Sequence, residues 1–273
     1  MTGKLGILAG GGGLPRLLVE ACQEQDRAVF VLAFNGFTAP ETTQDVEHAW
    51  VRLGAAGTAL DRLHEAGVEE LVLAGPIRRP SLADLRPDAR VIKFFARAGV
   101  KALGDDGLLR VVIRNLEEDE GFRVIAVEDV ISDITATRGV LGKHAPDEAA
   151  EQDIARGVDV LQALGAADVG QAVVVQEGIV LGVEAVEGTD ALLARCAELR
   201  REGVGGVLVK LSKPGQERRA DLPTIGLDTV MRVREAGLSG IAVEAGRTII
   251  LTRSKVIEEM DAAGLFLIGL SAP

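Results

Sequence analysis

A chain of 273 residues, 47% of them apolar and 26% charged, is long enough for one large domain or two of ordinary size with a sizeable core. Its 41 acidic against 30 basic residues leave a net charge of -11, which excludes a general nucleic-acid binder and electrostatic docking on anionic lipid, and the lack of tyrosine beside a single tryptophan removes stacking platforms for single strands. Cys22 and Cys196 stand too far apart in sequence for a disulfide framework or a zinc cluster, the N-terminus lacks the features of a leader, and no run approaches the ~18 apolar residues of a spanning helix, so a reduced cytoplasmic setting is expected.

Leu5, Ile7, Leu8 and Ala9 form a short apolar run that meets four glycines, Gly10 to Gly13, and then Leu14 and Pro15. Beyond them Leu17, Leu18, Ala21 and Cys22 recur at helical spacing, so strand, glycine turn and helix are predicted in that order. Residues 29–33 predict a second strand, 48–53 a third, 59–66 a helix ended by Gly67, and 71–74 a strand closing on Gly75 and Pro76. Alternation of this kind predicts a parallel sheet with helices on its faces. Helices are predicted again over 92–98 and 105–118, and a strand over 123–127.

Between 134 and 150 the apolar periodicity weakens and Gly139, Gly142 and Pro146 interrupt it, which places a domain boundary there. A helix is predicted over 148–164. Runs at 171–176 and 179–184, separated by Glu177 and Gly178, predict a hairpin. An amphipathic helix through Leu199, strands at 206–211, 240–244, 248–251 and 265–270, and helices at 227–236 and 254–262 complete the unit. The chain therefore reads as α/β in two domains: an N-terminal Rossmann-like parallel sheet over residues 1–133, a linker at 134–150, and a C-terminal mixed α/β domain over 151–273.

The glycine turn fails the dinucleotide fingerprint. Position 15, three after Gly12, is proline, and the stretch after the second strand holds no acid for a ribose hydroxyl, which disfavours a nicotinamide cofactor. What remains is close backbone approach to some ligand at the first helix N-terminus, or a plain tight turn. Glu184, Glu187 and Asp190 gather carboxylates where a strand gives way to a helix, either to hold a hard cation such as Mg²⁺ or to cap the helix through Thr189 or Asp190. Gly104, Asp105 and Asp106 pose the same choice, with capping favoured. His48, His64 and His144 stand beside no nucleophile and there is no G-x-S-x-G elbow, so a serine hydrolase is not supported. The stretch from Lys210 to Gly226 packs Lys213, Arg218, Arg219 and Asp221 into an irregular segment; its cations suit phosphate oxygens and its carboxylate suits a metal ion or a water proton, while the plain alternative is a solvated loop.

Taken together and in order, residues 5–15, 104–110, 168–171, 183–190, 213–214 and 219–226 (Arg-Ala-Asp-Leu-Pro-Thr-Ile-Gly) resemble the LpxI family of UDP-2,3-diacylglucosamine pyrophosphatases of lipid A biosynthesis. The resemblance implies a C-terminal catalytic domain and Mg²⁺-dependent hydrolysis at the α-phosphate, releasing UMP and 2,3-diacylglucosamine 1-phosphate. It places the essential aspartate on Asp221, with Lys213 and Arg219 as phosphate clamps and Glu187 and Asp190 as further metal candidates. Substrate contacts are expected from Gly11, Gly12, Gln171, Gly188, Thr189 and Thr224, and the acyl chains need an apolar cavity for which Leu14, Leu17, Phe94 and Phe95 are candidate walls. The substrate is a lipid-linked UDP-sugar; peripheral contact with the inner membrane and a homodimer are compatible with it. The alternative function is a nucleotide-sugar binding or regulatory protein without turnover.

Overall fold

Leu5–Ala9 (β1) is buried almost along its whole length, as a central parallel strand covered on both faces must be. In a computed structural model that describes residues 3–77, 85–98 and 105–271, this strand is the middle of the first of two units, comprising Met1–Ser132 and Glu217–Asp221; the second comprises Asp133–Gln216 and Leu222–Pro273. Gly104 and the side chains of Phe94, Phe95, Asp105 and Asp106 lie outside the described residues.

In unit 1, β1 is followed by α1 (Leu14–Glu24), β2 (Val29–Phe34), β3 (Glu47–Val51), α2 (Ala56–Glu65), β4 (Glu70–Ala74), α3 (Ala89–Ala98), α4 (Asp105–Glu118) and β5 (Arg123–Val124). The strands pair in the order β3-β2-β1-β4-β5, all parallel, the order of a doubly wound Rossmann-type sheet. Phe30, Leu32, Leu63, Leu71 and Ile113 form one core cluster of this unit. The glycine turn is set by packing: Gly10 N–H donates to Ala74 O at 2.7 Å and Gly11 N–H to Pro76 O at 2.9 Å. Gly75 stands at φ +85°, and a Cβ there would lie 2.1 Å from Gly11 O, so only glycine permits the close approach. Glu70, buried, pairs with both Arg27 and Arg123, an arrangement the sequence pattern did not announce.

Unit 2 contains β6 (Gly139–Val140), α5 (Glu148–Gly165), β7 (Ala172–Gln176), β8 (Ile179–Val183), α6 (Thr189–Leu199), β9 (Val207–Lys210), β10 (Thr224–Ile225), α7 (Leu227–Glu235), β11 (Gly240–Glu244), β12 (Ile249–Ile250), α8 (Arg253–Ala262) and β13 (Phe266–Leu270). Six strands pair in the order β6-β13-β11-β9-β7-β8. β13, β11 and β9 are mutually parallel, and β6, β7 and β8 each run antiparallel to the neighbour they join, which makes the sheet mixed; β10 and β12 form a separate parallel ribbon. Two core clusters of this unit among the described residues centre on Leu192, Leu208 and Ile241, and on Val173, Val209 and Phe266. The β7–β8 hairpin closes through Glu177 and Gly178, both at positive φ (51° and 74°), a conformation whose twist matches the flanking strands. The buried Asp153 carboxylate accepts from both turn amides, at 3.0 and 2.6 Å.

Residues 134–150, expected as a linker, are built into unit 2. Ile134, Ala136 and Ala150 are buried, Ala136 N–H donates to Thr248 O at 2.8 Å, and β6 pairs with β13. A two-residue edge strand carries no readable period, and its glycine mimics a break. Among the described residues no helix is long and apolar enough to cross a membrane.

Candidate active site

Because β7 runs antiparallel to both β8 and β9, and β9 parallel to β11, the ends of β8, β9 and β11 leave the sheet at one edge. Glu184, Lys210 and Glu244 stand there, each no more than 6% exposed. Ligands of open α/β sheets collect at such carboxyl ends. Charges this deep must be paired, and Lys210 and Glu184 share one hydroxyl. Lys210 Nζ donates to Thr189 Oγ1 at 2.9 Å and to Thr224 O at 3.0 Å, while the Thr189 hydroxyl donates to Glu184 Oε1 at 2.6 Å and Glu184 Oε2 accepts from Gln171 N–H at 3.0 Å. Thr189 opens α6 directly after Gly188, its N-cap, and Thr224 opens β10, whose pairing with β12 fixes the carbonyl that Lys210 reaches. Gln171, Thr189 and Thr224, far apart in sequence, thus meet in one network, with Gly188 beside it.

A cavity of about 280 Å³ lies at the same edge, with Gln171, Ser212, Lys213, Pro214, Glu244 and Arg247 in its wall. Glu244 accepts from Ser212 N–H at 3.0 Å and from the Ser212 hydroxyl, and pairs with Arg247 at 3.4 Å. Lys213 Nζ pairs with Asp168 at 2.6 Å. Gln171 stands in the cavity wall, and its side-chain oxygen is buried with no hydrogen-bond partner among the described residues. Ser212, Glu244 and Arg247 are absent from the sequence expectations, and Lys210 enters them only as a cation at the start of the polar stretch. Their signal was a charged residue closing each buried apolar strand, Lys210 after β9's valines and Glu244 at the end of Gly-Ile-Ala-Val.

The remaining candidates are not part of this network. Arg219 belongs to unit 1, where it pairs with Glu117 at 2.8 Å and Glu217 at 3.0 Å. The hydrogen bond from Arg219 holds the Glu217 carboxyl below the usual carboxylate range against the opposing effect of burial, and the same bond raises the guanidinium further. Arg218 pairs with Glu128 at 3.3 Å, also in unit 1. Asp221 closes that segment, its amide donating to Glu217 O at 3.1 Å. Glu187 pairs with Arg195 at 2.9 Å and accepts from Ala185 N–H, and Asp190 pairs with Arg232 at 3.3 Å. Among the described residues no three His, Cys, Asp or Glu side chains gather as a metal site. The Gly11 amide is taken by Pro76 O, and Gly12 follows it in the turn ahead of α1. His48, His64 and His144 bond Val46 O, Glu120 and Asp261 O near the surface.

Residues 4–134 match the family model of the LpxI N-terminal domain, and residues 137–268 match that of the LpxI C-terminal domain. The chain is also similar to the UDP-2,3-diacylglucosamine pyrophosphatase LpxI of Caulobacter vibrioides, 42% identical over 274 aligned positions that cover 98% of this chain and 97% of that protein. Both domains are matched in order over nearly the whole length, and the chain belongs to the LpxI family.

Proposed function

We propose that this chain hydrolyses the pyrophosphate bond of UDP-2,3-diacylglucosamine, a step of lipid A biosynthesis, releasing UMP and 2,3-diacylglucosamine 1-phosphate. The observation that carries the proposal is identity of 42%, over nearly all of both chains, to a protein named for that substrate. In the reaction a water oxygen bonds to one phosphorus, the bridging P–O bond breaks, and its electron pair leaves with the other phosphate. Negative charge accumulates on the phosphate oxygens and the water gives up a proton, so the site must supply cations and a base.

Lys213, in the wall of the unit 2 cavity, is proposed as a phosphate clamp, and Lys210, already ordered between Thr189 and Thr224, fixes the edge on which that clamp stands. Gln171 is proposed to bind the substrate through its unpartnered oxygen. Gly188, Thr189 and Thr224 shape the same edge. Asp221 is assigned the base or the metal contact. Magnesium, commonly held by only one or two carboxylates, would be held by Asp221 together with substrate oxygens, with Glu187 and Asp190 as further candidates. When bound it would neutralise charge on the pyrophosphate. Arg219, committed to Glu117 and Glu217, is read as positioning the segment that ends in Asp221 rather than as a clamp. A cytoplasmic location follows from the substrate in this reading, with transient contact at the membrane where an acylated sugar resides.

The test is incubation with UDP-2,3-diacylglucosamine in ¹⁸O-labelled water. Release of UMP supports the proposal. Label in UMP assigns attack to the α-phosphorus, and label in the acyl-sugar phosphate assigns it to the other. Binding of the nucleotide sugar without any UMP would replace the hydrolase by a binding protein.

A further inference from the structure

Unit 1 holds a second concavity, about 300 Å³, that contains none of the residues assigned above. Its walls are Asn35 and Phe37 after β2, Arg52, Leu53 and Gly54 after β3, and Leu85 and Arg86 ahead of α3. β2 and β3 are parallel neighbours in register at Phe34 and Val51, so these loops leave the sheet at its carboxyl edge, the edge where open α/β sheets bind ligands.

Three backbone devices hold the walls in place. The Asn35 amide donates to Val51 O at 2.9 Å, and the Thr38 hydroxyl accepts from Phe34 N–H at 2.8 Å while donating to Ala9 O, which pins the turn carrying Asn35 and Phe37. Gly54 lies so close to the segment before α3 that a Cβ there would fall 1.8 Å from Leu85 O, and Asp88 N–H donates to Gly54 O at 2.9 Å. Arg86, between those contacts, stands at φ +43°, a left-handed conformation that a long side chain adopts only when its surroundings impose it.

Two residues that carry guanidinium groups therefore line one concavity, and among the described residues neither guanidinium has a hydrogen-bond or ion-pair partner. The carboxylate two residues beyond Arg86 does not serve them, because Asp88 is committed to Gly57 N–H at 2.7 Å and Val91 N–H at 2.9 Å. Like charges that line one concavity lower their energy by sharing an anion, and the planar fork of arginine matches phosphate oxygens in pairs. Phe37, Leu53 and Leu85 add an apolar wall that inorganic phosphate alone does not need.

We propose that this concavity binds a phosphate ester, its phosphate held by Arg52 and Arg86, its less polar body lying against Phe37, Leu53 and Leu85, and the Asn35 side-chain amide fixing its orientation. The ester is either a nucleoside monophosphate or an acylated sugar phosphate. Binding is measured without turnover, so the proposal stands or falls separately from the hydrolase reading.

Calorimetric titration of the full chain with inorganic phosphate, UMP and a short-chain diacylglucosamine 1-phosphate tests it. At least one ester is expected to bind more tightly than inorganic phosphate and to lose tenfold or more in affinity in the Arg52→Gln/Arg86→Gln chain. Arg52→Lys, which keeps the charge but loses the fork, is expected to lose less. Both arginines are exposed, so the circular dichroism spectrum and Tm should not change. The ester whose affinity falls in the double variant identifies the source. Failure of every phosphate ligand to bind, or an unchanged Kd in the double variant because binding is elsewhere, overturns the proposal.

Discussion

Replacing Lys210 by methionine keeps most of the apolar stem and deletes the charge. The lysine is 6% exposed and donates to Thr189 Oγ1 and Thr224 O, and Thr189 in turn donates to Glu184, itself 6% exposed. Two charge-assisted hydrogen bonds are worth about 1.5–3 kcal/mol each. Methionine recovers part of this through packing, so a loss of about 3 kcal/mol is expected. Hydrogen exchange at the amides of β9 and β11 reads unit 2 directly and avoids treating a two-unit chain as one transition. Glu184→Gln, measured alone and with Lys210→Met, completes a cycle in which the double variant should lose clearly less than the sum, by about 1 kcal/mol or more. A loss below about 1 kcal/mol in Lys210→Met, or simple additivity, would show that the two charges do not depend on each other through Thr189.

Asp221→Asn is expected to keep its Tm and lower UMP release by about 10²-fold or more, as loss of a proton-transfer group does; activity near wild type would remove Asp221 from the chemistry. EDTA is expected to abolish turnover and Mg²⁺ to restore it, and activity that survives chelation would take the metal out of the proposal. Glu217 titrates below the usual carboxylate value of about 4.3, so its ion pair stabilises unit 1 fully above that pH and the contribution disappears as pH falls through the depressed value. A carboxyl ¹³C titration should show that low midpoint and its rise in Arg219→Gln; an unmoved midpoint would contradict the assigned cause. Burial pushes both thiols, Cys22 and Cys196, above their ordinary range and leaves them inaccessible, so a thiol reagent should label the native chain slowly and the unfolded chain twice. Fast labelling of native protein would speak against the buried placement.

The sheets were legible where a strand is an almost unbroken apolar run. β1, β4, β7 and β11 fall within a residue of their expected bounds, and the Glu177-Gly178 hairpin follows from loop length and glycine alone. β6 and β10 were not legible: two residues have no period, and each owes its place to a distant partner, β13 and β12. The same limit applies to the site. Gln171, Thr189 and Thr224 are expected from the family resemblance, but what joins them is Lys210, which bonds Thr189 and Thr224 and reads in sequence as one cation of a polar loop, and Glu184, which takes the Gln171 amide. Carboxylates at 184, 187 and 190 look equivalent on paper. Glu184 turns into the network, whereas Arg195 and Arg232, seen only in three dimensions, take the other two. The arginine pair at 52 and 86 left no trace at all, since 33 residues separate members whose loops meet at Gly54.

The division of the chain has a consequence for the order of events during synthesis. Unit 1 takes its last strand at Val124 but includes Glu217–Asp221, so Glu117 must wait 102 residues for Arg219. At about 5–20 residues per second, a ribosome leaves the first unit incomplete for roughly 5–20 s while most of the second is being made. Until then Glu117 and Glu128 remain water-facing carboxylates, and the sheet must persist on its apolar faces alone. A nascent chain arrested before residue 217 is therefore a natural intermediate: one folded sheet, with the segment that ends in Asp221 still to be delivered.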